Sequence, residues 1–457
     1  MDPWQPKEAP AGAAPRTRRA LLSWILYDAA SNSFPLVIIT AVYVLYFKQV
    51  VVPDVGKGDL LWGLCLSTSA LLVALTAPFM GALADARAWR KRLLGVYTAL
   101  ACISTLFLGF SGEGMVLWAM TFVILGNATY EGTNAFYASL LPSVAAPSRL
   151  GRISGYGWAA GYLGGLVVLA ASLPFAMSGA MRVVIFLVAA WFALLSLPLF
   201  FFVPEPPARA PAGDAAGAAA RRGMGQVWEN VKACGRAIAK ERGLLVFFIA
   251  YFVYNDAIIT TFAFAAPFAT EELFFSNAGI IGLILGIQVS GAVGAFTLGH
   301  LADRIGNIRT VMLTLALMFC ASLVAFWCAR EVAALGPGLS AALIDDPESA
   351  EGARIRTLQG VFSVVGLGFG LMMGAAQAAS RSFLASVTPP SQAGELFGFY
   401  GLVGRFSAVL GPILFGGISF LTGSKAWSVL SLTAMFAIGL LLLSFVPERA
   451  LRAKVGP

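Results

Sequence analysis

Long apolar stretches separated by short polar breaks run through almost the whole chain. They cover about 22–48, 60–84, 93–110, 115–140, 153–175, 181–203, 244–270, 277–300, 310–329, 357–385, 396–421 and 426–446. A helix needs roughly 20 apolar residues to cross a bilayer, whereas a β-barrel strand needs only about 9–11. Hydrocarbon holds no water to satisfy backbone N–H and C=O groups, so runs of this length are predicted to be helices. The pattern predicts an all-α integral membrane protein with twelve transmembrane helices.

Composition agrees. Of 457 residues, 58% are hydrophobic and 12% charged, against about 25% charged in an ordinary soluble domain. The excess of 31 Lys and Arg over 23 Asp and Glu, +8 in net charge, would suggest nucleic acid in a soluble protein. Here its placement matters more. With the N-terminus inside, the inner loops and tails hold 23 of the basic residues and the outer loops seven. That bias predicts both termini to be cytoplasmic, and makes the bilayer, not nucleic acid, the expected partner. The basic, Pro/Ala-rich segment 1–20 reads as a disordered cytoplasmic tail without a signal-peptide pattern, which fits a bacterial inner membrane.

Several chemistries lose their usual parts. The five cysteines have no CxxC spacing, His300 is the single histidine, and neither HExxH nor GxxxxGK[ST] occurs. A disulfide framework, a metal site, a cofactor and ATP-driven pumping are not expected, and neither is an enzyme.

The Pro/Ala/Gly linker EPPARAPAGDAAGAAARRG divides the chain. Segment 21–203 forms an N-terminal six-helix half, 204–243 a cytoplasmic linker, 244–447 a C-terminal six-helix half and 448–457 a cytoplasmic tail. Within the linker, Val227, Val231, Cys234 and Ile238 follow helical spacing opposite Lys232, Arg236, Lys240 and Arg242. This reads either as a helix lying on anionic headgroups or as an ordinary linker helix touching the protein. The halves repeat each other: GALADARAWRKR (81–92) returns as GHLADRIGNIRT (299–310), and NAFYASLLPSVA (134–145) as RSFLASVTPPSQ (381–392). Repeated six-helix halves are the mark of an alternating-access transporter.

The stretch Gly81-Ala82-Leu83-Ala84-Asp85, followed by Arg90-Lys91-Arg92, resembles the inter-helix motif of the major facilitator superfamily, with Asp303 and Arg304 in a weaker second copy. SWILYDAASNSF (23–34), GYGWAAGYLGG (155–165), YFVYNDAIITT (251–261) and QAASRSFLASVTPPSQAGELFGFYGLVGR (377–405) resemble its vacuole-effluxer branch, which contains fungal vacuolar amino-acid exporters. Ala29 and Ala257 stand where that branch usually carries an aromatic residue and a glycine. The resemblance implies a major facilitator fold with a central cavity lined by the first, fourth, seventh and tenth spans. It also implies that Gly81, Asp85, Arg90, Lys91, Asp303 and Arg304 form gating motifs, the motif aspartate pairing with a helix N-terminus and nearby arginines.

Ionisable groups in hydrocarbon cost about 2.5–3.5 kcal/mol on insertion scales, so each asks for a cavity, a partner or a changed protonation state. On the first span Asp28 and Asn32 share a face, with Pro35 one turn later. On the fourth, Asn127, Glu131 and Asn134 share a face beside Tyr130. Glu131 reads as a proton-coupling carboxylate or amine ligand, or else as half of a buried ion pair with Arg405. On the seventh, Tyr254, Asn255 and Asp256 lie together, and Asp256 is the deepest acid. On the tenth, Gln377 and Arg381 are four apart, and Arg381 is near enough to the inner end to snorkel. Arg405 lies too deep for that and suits either a solute carboxylate or pairing between the halves. Glycines dense over 155–165 and 279–294 suit close helix packing. Trp24, Trp62, Trp118, Trp158 and Trp427 fall near span ends, where indoles prefer the interface.

These residues are the candidate substrate and proton sites of a monomeric secondary transporter. Both charge signs on cavity helices favour a small zwitterionic solute such as an amino acid over a sugar. Proton coupling is expected from the buried carboxylates. The competing readings are export of lipophilic compounds and a membrane receptor or scaffold that moves no solute.

Overall fold

The computed structural model describes residues 17–52, 55–205, 232, 235–236, 238–336, 349–389, 392–407 and 410–455. Segment 1–16 and most of the basic stretch 223–243 lie outside the described residues. Every regular element described is helical, as the all-α reading requires. The helices are α1 (Arg18–Ser31), α2 (Val55–Arg87), α3 (Arg90–Leu108), α4 (Val116–Ser139), α5 (Leu150–Met177) and α6 (Met181–Phe202). They continue with α7 (Arg242–Leu273), α8 (Asn277–Ile305), α9 (Asn307–Ala333), α10 (Ala350–Val387), α11 (Ala393–Phe406), α12 (Leu410–Thr422), α13 (Lys425–Ser444) and α14 (Glu448–Val455).

Eleven described stretches are long and apolar enough to cross a membrane. The difference from twelve is α4. Its 24 residues exceed what a bilayer needs at about 1.5 Å per residue, but Asn127, Tyr130, Glu131 and Asn134 lower its hydropathy. Polar side chains on α4 thus lower its apolarity.

Local signals set the helix ends. Thr17 accepts from the Ala20 N–H at 3.1 Å to open α1, and Ser276 accepts from Gly279 at 3.1 Å to open α8, each satisfying a donor that has no partner in the first turn. Gly306, at φ 101°, turns the chain between α8 and α9, a conformation that disfavours side chains. Pro35 has no N–H to donate and its ring crowds the preceding turn. After it the first span continues in wide π-type turns over Pro35–Ala41 and Phe47–Val51, with Val42 N–H bonded five residues back to Val37 O at 2.9 Å.

The chain forms two compact units. Unit 1 comprises Met1–Arg242 with Arg381–Leu402 and Glu448–Pro457, and unit 2 comprises Gly243–Ser380 with Val403–Pro447. Residues 381–402, which the sequence repeat counts with the second half, thus cluster with unit 1. In unit 1, α1 packs against α5 and α6, α3 along α4, and α2 against α4; in unit 2, α13 packs against α9 and α12. Leu117, Met177, Phe201, Phe420 and Leu421 are largely exposed, which suits a surface meeting lipid tails.

The glycine rows act inside each unit. A Cβ on Gly164 would sit 2.3 Å from Ala29 O, and one on Gly161 2.5 Å from Asn32 Nδ2, so α5 touches α1 backbone to backbone. In unit 2 a Cβ on Gly294 would sit 1.9 Å from Leu371 O and one on Gly374 2.1 Å from Gly291 O, which brings α8 equally close to α10. Small residues permit this approach, and dispersion contacts between helices replace the absent hydrophobic drive.

Gly164→Val should therefore lower stability by about 1–3 kcal/mol, the usual range for overpacking. Gly360→Ala, where an added methyl meets nothing within 4 Å, should not. Thermal unfolding of the detergent-purified variants measures both, and equal melting temperatures would contradict the packing described.

Candidate functional site

Unit 1 holds a buried charge cluster built from four helices. Asp28 on α1 and Arg381 on α10 are each 6% exposed, and Asp28 Oδ2 accepts from Arg381 Nη1 at 3.1 Å. Asp28 Oδ1 accepts from Asn32 Nδ2 at 3.1 Å, one turn along the same helix. The Tyr137 hydroxyl on α4 lies 3.0 Å from Asp28 Oδ2 and 3.1 Å from Trp24 O. Arg381 is held further by α5, donating from Nε to Ser154 Oγ at 2.9 Å and from Nη2 to Ser154 O at 2.6 Å.

Three aromatic rings surround the guanidinium. Its carbon lies 5.0 Å from the Trp24 ring centroid and 5.5 Å from those of Tyr137 and Trp158. Trp24 and Tyr137 are stacked at 4.5 Å, and Trp24 Nε1 donates to Tyr137 O at 3.1 Å. A desolvated cation–π contact contributes about 2 kcal/mol, and guanidinium stacks better than ammonium because it is planar and weakly hydrated. The Trp158 indole N–H is buried with no hydrogen-bond acceptor among the described residues. Gly157 makes room for the whole arrangement: a Cβ there would sit 2.7 Å from Asp28 Oδ2 and 2.8 Å from Arg381 Nη2.

Arg381 therefore does not snorkel. Its reach to the cytoplasmic surface is given up because a carboxylate, a backbone carbonyl and three ring faces solvate it internally. Trp24, Trp62 and Trp158 likewise depart from the interfacial reading. Trp24 is fully buried and Trp62 nearly so, the latter against Phe47 at 5.2 Å, while Trp118 and Trp427 are exposed.

A second acid of unit 1, Asp85 at the end of α2, is 2% exposed. Its Oδ1 accepts from Arg90 Nε at 2.6 Å and from Gly394 N at 2.9 Å, and its Oδ2 from Glu395 N at 2.8 Å. Those amides open α11, where unpaired N–H groups and the helix dipole favour an anion. The approach depends on Gly81 and Gly394: a Cβ on the first would lie 2.3 Å from Gly394 O and one on the second 2.4 Å from Asp85 Oδ1. Nearby, the Lys91 N–H at the start of α3 donates to Glu205 Oε2 at 3.0 Å, and the Lys91 ammonium donates to Val203 O. Burial pushes the Glu205 carboxyl up from its ordinary range, opposed by that backbone bond and the Lys91 charge. In the weaker repeat, Asp303 is half-buried and Arg304 exposed at the end of α8.

On α4, Asn127 and Tyr130 are buried, the Tyr130 ring 5.4 Å from that of Phe34. Glu131 is half-buried and accepts from the exposed Asn134 Nδ2 at 3.2 Å.

In unit 2, Asp256 on α7 is completely buried. Its Oδ2 accepts from Gly411 N at 2.7 Å and its Oδ1 from Thr260 Oγ1 at 3.3 Å. The acid thus binds the N-terminus of α12, just beyond the point where α11 ends at Phe406. Beside it Asn255 Nδ2 donates to Ser407 Oγ at 2.7 Å, and Asn255 Oδ1 accepts from Gln377 Nε2 at 3.0 Å. Tyr254 Oη and Ser380 Oγ are 2.7 Å apart. Arg405 is half-buried near the end of α11. Unit 1 thus brings Asp28, Asn32 and Arg381 together, and unit 2 Tyr254, Asn255, Asp256 and Gln377. Asn127, Tyr130, Glu131 and Asn134 share α4, with Tyr130 against the ring of Phe34.

Pattern reading missed Tyr137, Ser154, Ser407, Gly394 and Gly411. For part of the cluster a signal existed: Trp24 and Asp28 are four apart on α1, and Ser154 and Trp158 four apart on α5, each pair on one face. What no spacing reveals is that α10 supplies the arginine between them.

A family model described as "Vacuole effluxer Atg22 like" matches residues 63–455. The chain is 24% identical over 446 residues to the uncharacterized MFS-type transporter YxiO of Bacillus subtilis, covering 93% of this chain and 94% of that one. It is 27% identical over 282 residues to autophagy-related protein 22-1 of Emericella nidulans, covering 59% of this chain but 45% of the fungal protein. Among solved structures, the human organic anion transporter MFSD10 aligns with a TM-score of 0.67 at 16% identity, covering 94% of this chain and 100% of that one. The proton:xylose symporter XylE aligns at 0.65 with 15% identity, covering 94% of each chain. These structural likenesses bear on the fold.

Removing one member of a buried pair strands the other's charge and typically costs about 3–5 kcal/mol. Asp28→Asn and Arg381→Met should each lower the unfolding temperature strongly, and the double variant should lose about 1–3 kcal/mol less than the sum. Additive losses in a double-mutant cycle would contradict the pairing. Gly394→Ala should likewise destabilise by displacing Asp85, whereas Gly401→Ala, with open space around it, should not.

Proposed function

The chain belongs to the vacuole effluxer Atg22-like family of the major facilitator superfamily, and from that premise we propose that it moves a small zwitterionic solute, such as an amino acid, in exchange for or together with protons. It is a multi-pass membrane transporter and not an enzyme. The observation that carries the finer reading is the Asp28–Arg381 pair at 3.1 Å inside its aromatic box.

A buried ion pair can be opened at low cost only if each partner receives a replacement of the same sign. A zwitterion brings both: its carboxylate replaces Asp28 at Arg381, and its ammonium replaces Arg381 at Asp28. No charge is left uncompensated in hydrocarbon, where an unpaired charge costs several kcal/mol. A sugar offers neither group. The unpartnered Trp158 N–H, on a ring 5.5 Å from the guanidinium carbon, supplies one further donor for a carboxylate.

A proton does half of the same work. Protonating Asp28 neutralises it and frees Arg381, but it also removes the anion that would hold the solute ammonium, so proton and zwitterion compete for Asp28, the linkage that exchange of solute for proton requires. Asp85, held by Arg90 and the α11 amides, is the second two-state element in this reading: a latch made in one state of the cycle and broken in the other. Glu131 and Asp256 are secondary candidates for the coupling proton. The excess of Lys and Arg in one set of loops supports cytoplasmic termini, and the likeness over nearly the whole chain to a bacterial relative supports a bacterial inner membrane.

In proteoliposomes, uptake of a labelled neutral amino acid should saturate and rise when a pH gradient is imposed. Asp28→Asn, which removes the charge that the proton and the solute ammonium share, should lose the response to the gradient and weaken solute exchange at equal pH in the fraction that folds. Arg381→Lys should cut both by at least about tenfold, because ammonium cannot reproduce the forked contact with Ser154 and Asp28. Asp28→Asn vesicles that still answer the gradient would remove Asp28 as the coupling site. Wild-type vesicles that take up no amino acid from a complete mixture would remove the substrate class.

A further inference from the structure

The guanidinium of Arg381 sits in a pocket whose walls come from other helices: Trp24 and Asp28 on α1, Tyr137 on α4, and Ser154, Gly157 and Trp158 on α5. Each of its three nitrogens meets a different acceptor. Nη1 donates to Asp28 Oδ2 at 3.1 Å, Nε to Ser154 Oγ at 2.9 Å and Nη2 to Ser154 O at 2.6 Å. The Trp24, Tyr137 and Trp158 rings lie 5.0–5.5 Å from the guanidinium carbon. Gly157 closes the pocket behind the fork, since a Cβ there would sit 2.8 Å from Nη2 and 2.8 Å from Trp24 Cζ3. The space is cut to a flat cation.

A solute cation that takes over Asp28 must also serve the acceptors that Arg381 leaves, because a buried acceptor without its donor keeps its full desolvation penalty. An ammonium carries its N–H bonds on one atom, and one point does not replace three nitrogens along a planar fork. A quaternary ammonium takes the ring faces but has no N–H for Ser154. A guanidinium serves all three acceptors and all three faces, being the group these walls already hold.

Arg381 has somewhere to go. It lies six residues before α10 ends at Val387, about 9 Å at 1.5 Å per residue, and long basic side chains near helix ends snorkel to the surface. The carboxylate of the incoming solute offers it a second destination. Its charge is compensated in both.

We infer, resting on the reading of Asp28 and Arg381 as the solute site, that this pocket is a guanidinium receptor, that its solute is an amino acid with a guanidinium side chain, and that Arg381 is a tethered competitor for the same place. A tethered occupant lowers the apparent affinity for a free one, because the empty pocket is then a minor state.

Two measurements on the full-length protein test this. In wild-type proteoliposomes, uptake of labelled arginine should saturate, and unlabelled arginine should compete at least about tenfold better than lysine or than citrulline, which replaces the guanidinium by an uncharged urea. In detergent, methylguanidinium should raise the unfolding temperature of Arg381→Ala saturably by mass action, at concentrations at least about tenfold below those at which it moves the wild type or at which methylammonium or methylurea moves the variant. If Arg381→Ala does not fold, the competition in the wild type decides alone. Citrulline or lysine competing as well as arginine overturns the receptor, as does methylurea or methylammonium matching methylguanidinium on the variant, or a folded variant that methylguanidinium does not stabilise. Uptake of other amino acids but not of arginine overturns the guanidinium solute and leaves the zwitterion reading standing, whereas uptake of no amino acid at all removes both.

Discussion

Hydrocarbon cannot solvate a charge, and every notable feature of this protein follows from how its few embedded charges are solvated by protein instead. Asp28 is answered by an arginine, an amide and a phenol; Asp85 by an arginine and two backbone amides; Asp256 by one backbone amide and a threonine hydroxyl. The three solutions differ in how much charge they cancel. Among the described residues the Asp28 and Asp85 clusters each contain a cation, and in the Asp28 cluster that cation is itself wrapped in aromatic rings.

Each solution also needs a glycine in one place. Gly157 lies over Asp28 and Arg381, Gly394 against Asp85, and Gly411 against Asp256, and in all three a Cβ would come within 2.7 Å of a carboxylate oxygen. The reason is geometric. A short acid side chain can reach the backbone of a neighbouring helix only if the two helices nearly touch, and only glycine lets them. Packing and electrostatics are therefore one constraint here, since a methyl group at any of these positions would displace a charge from its partners.

From sequence alone, the helical class, the family and the rare acids were all legible, because each depends on properties that one residue or one run carries by itself. Apolarity over about 20 residues forces a helix, and an Asp or Arg inside such a run is conspicuous whatever surrounds it. The break at Pro35 belongs to the same local class, because proline has no N–H to donate. Partners did not: Arg381 read as a residue near a span end with open water in reach, and Trp24 and Trp158 read as interfacial anchors. Their meeting is decided by the approach of α1, α4, α5 and α10, helices far apart in the chain. Depth along a helix can be counted from sequence, but the direction a side chain faces and the charge opposite it exist only once the helices have packed.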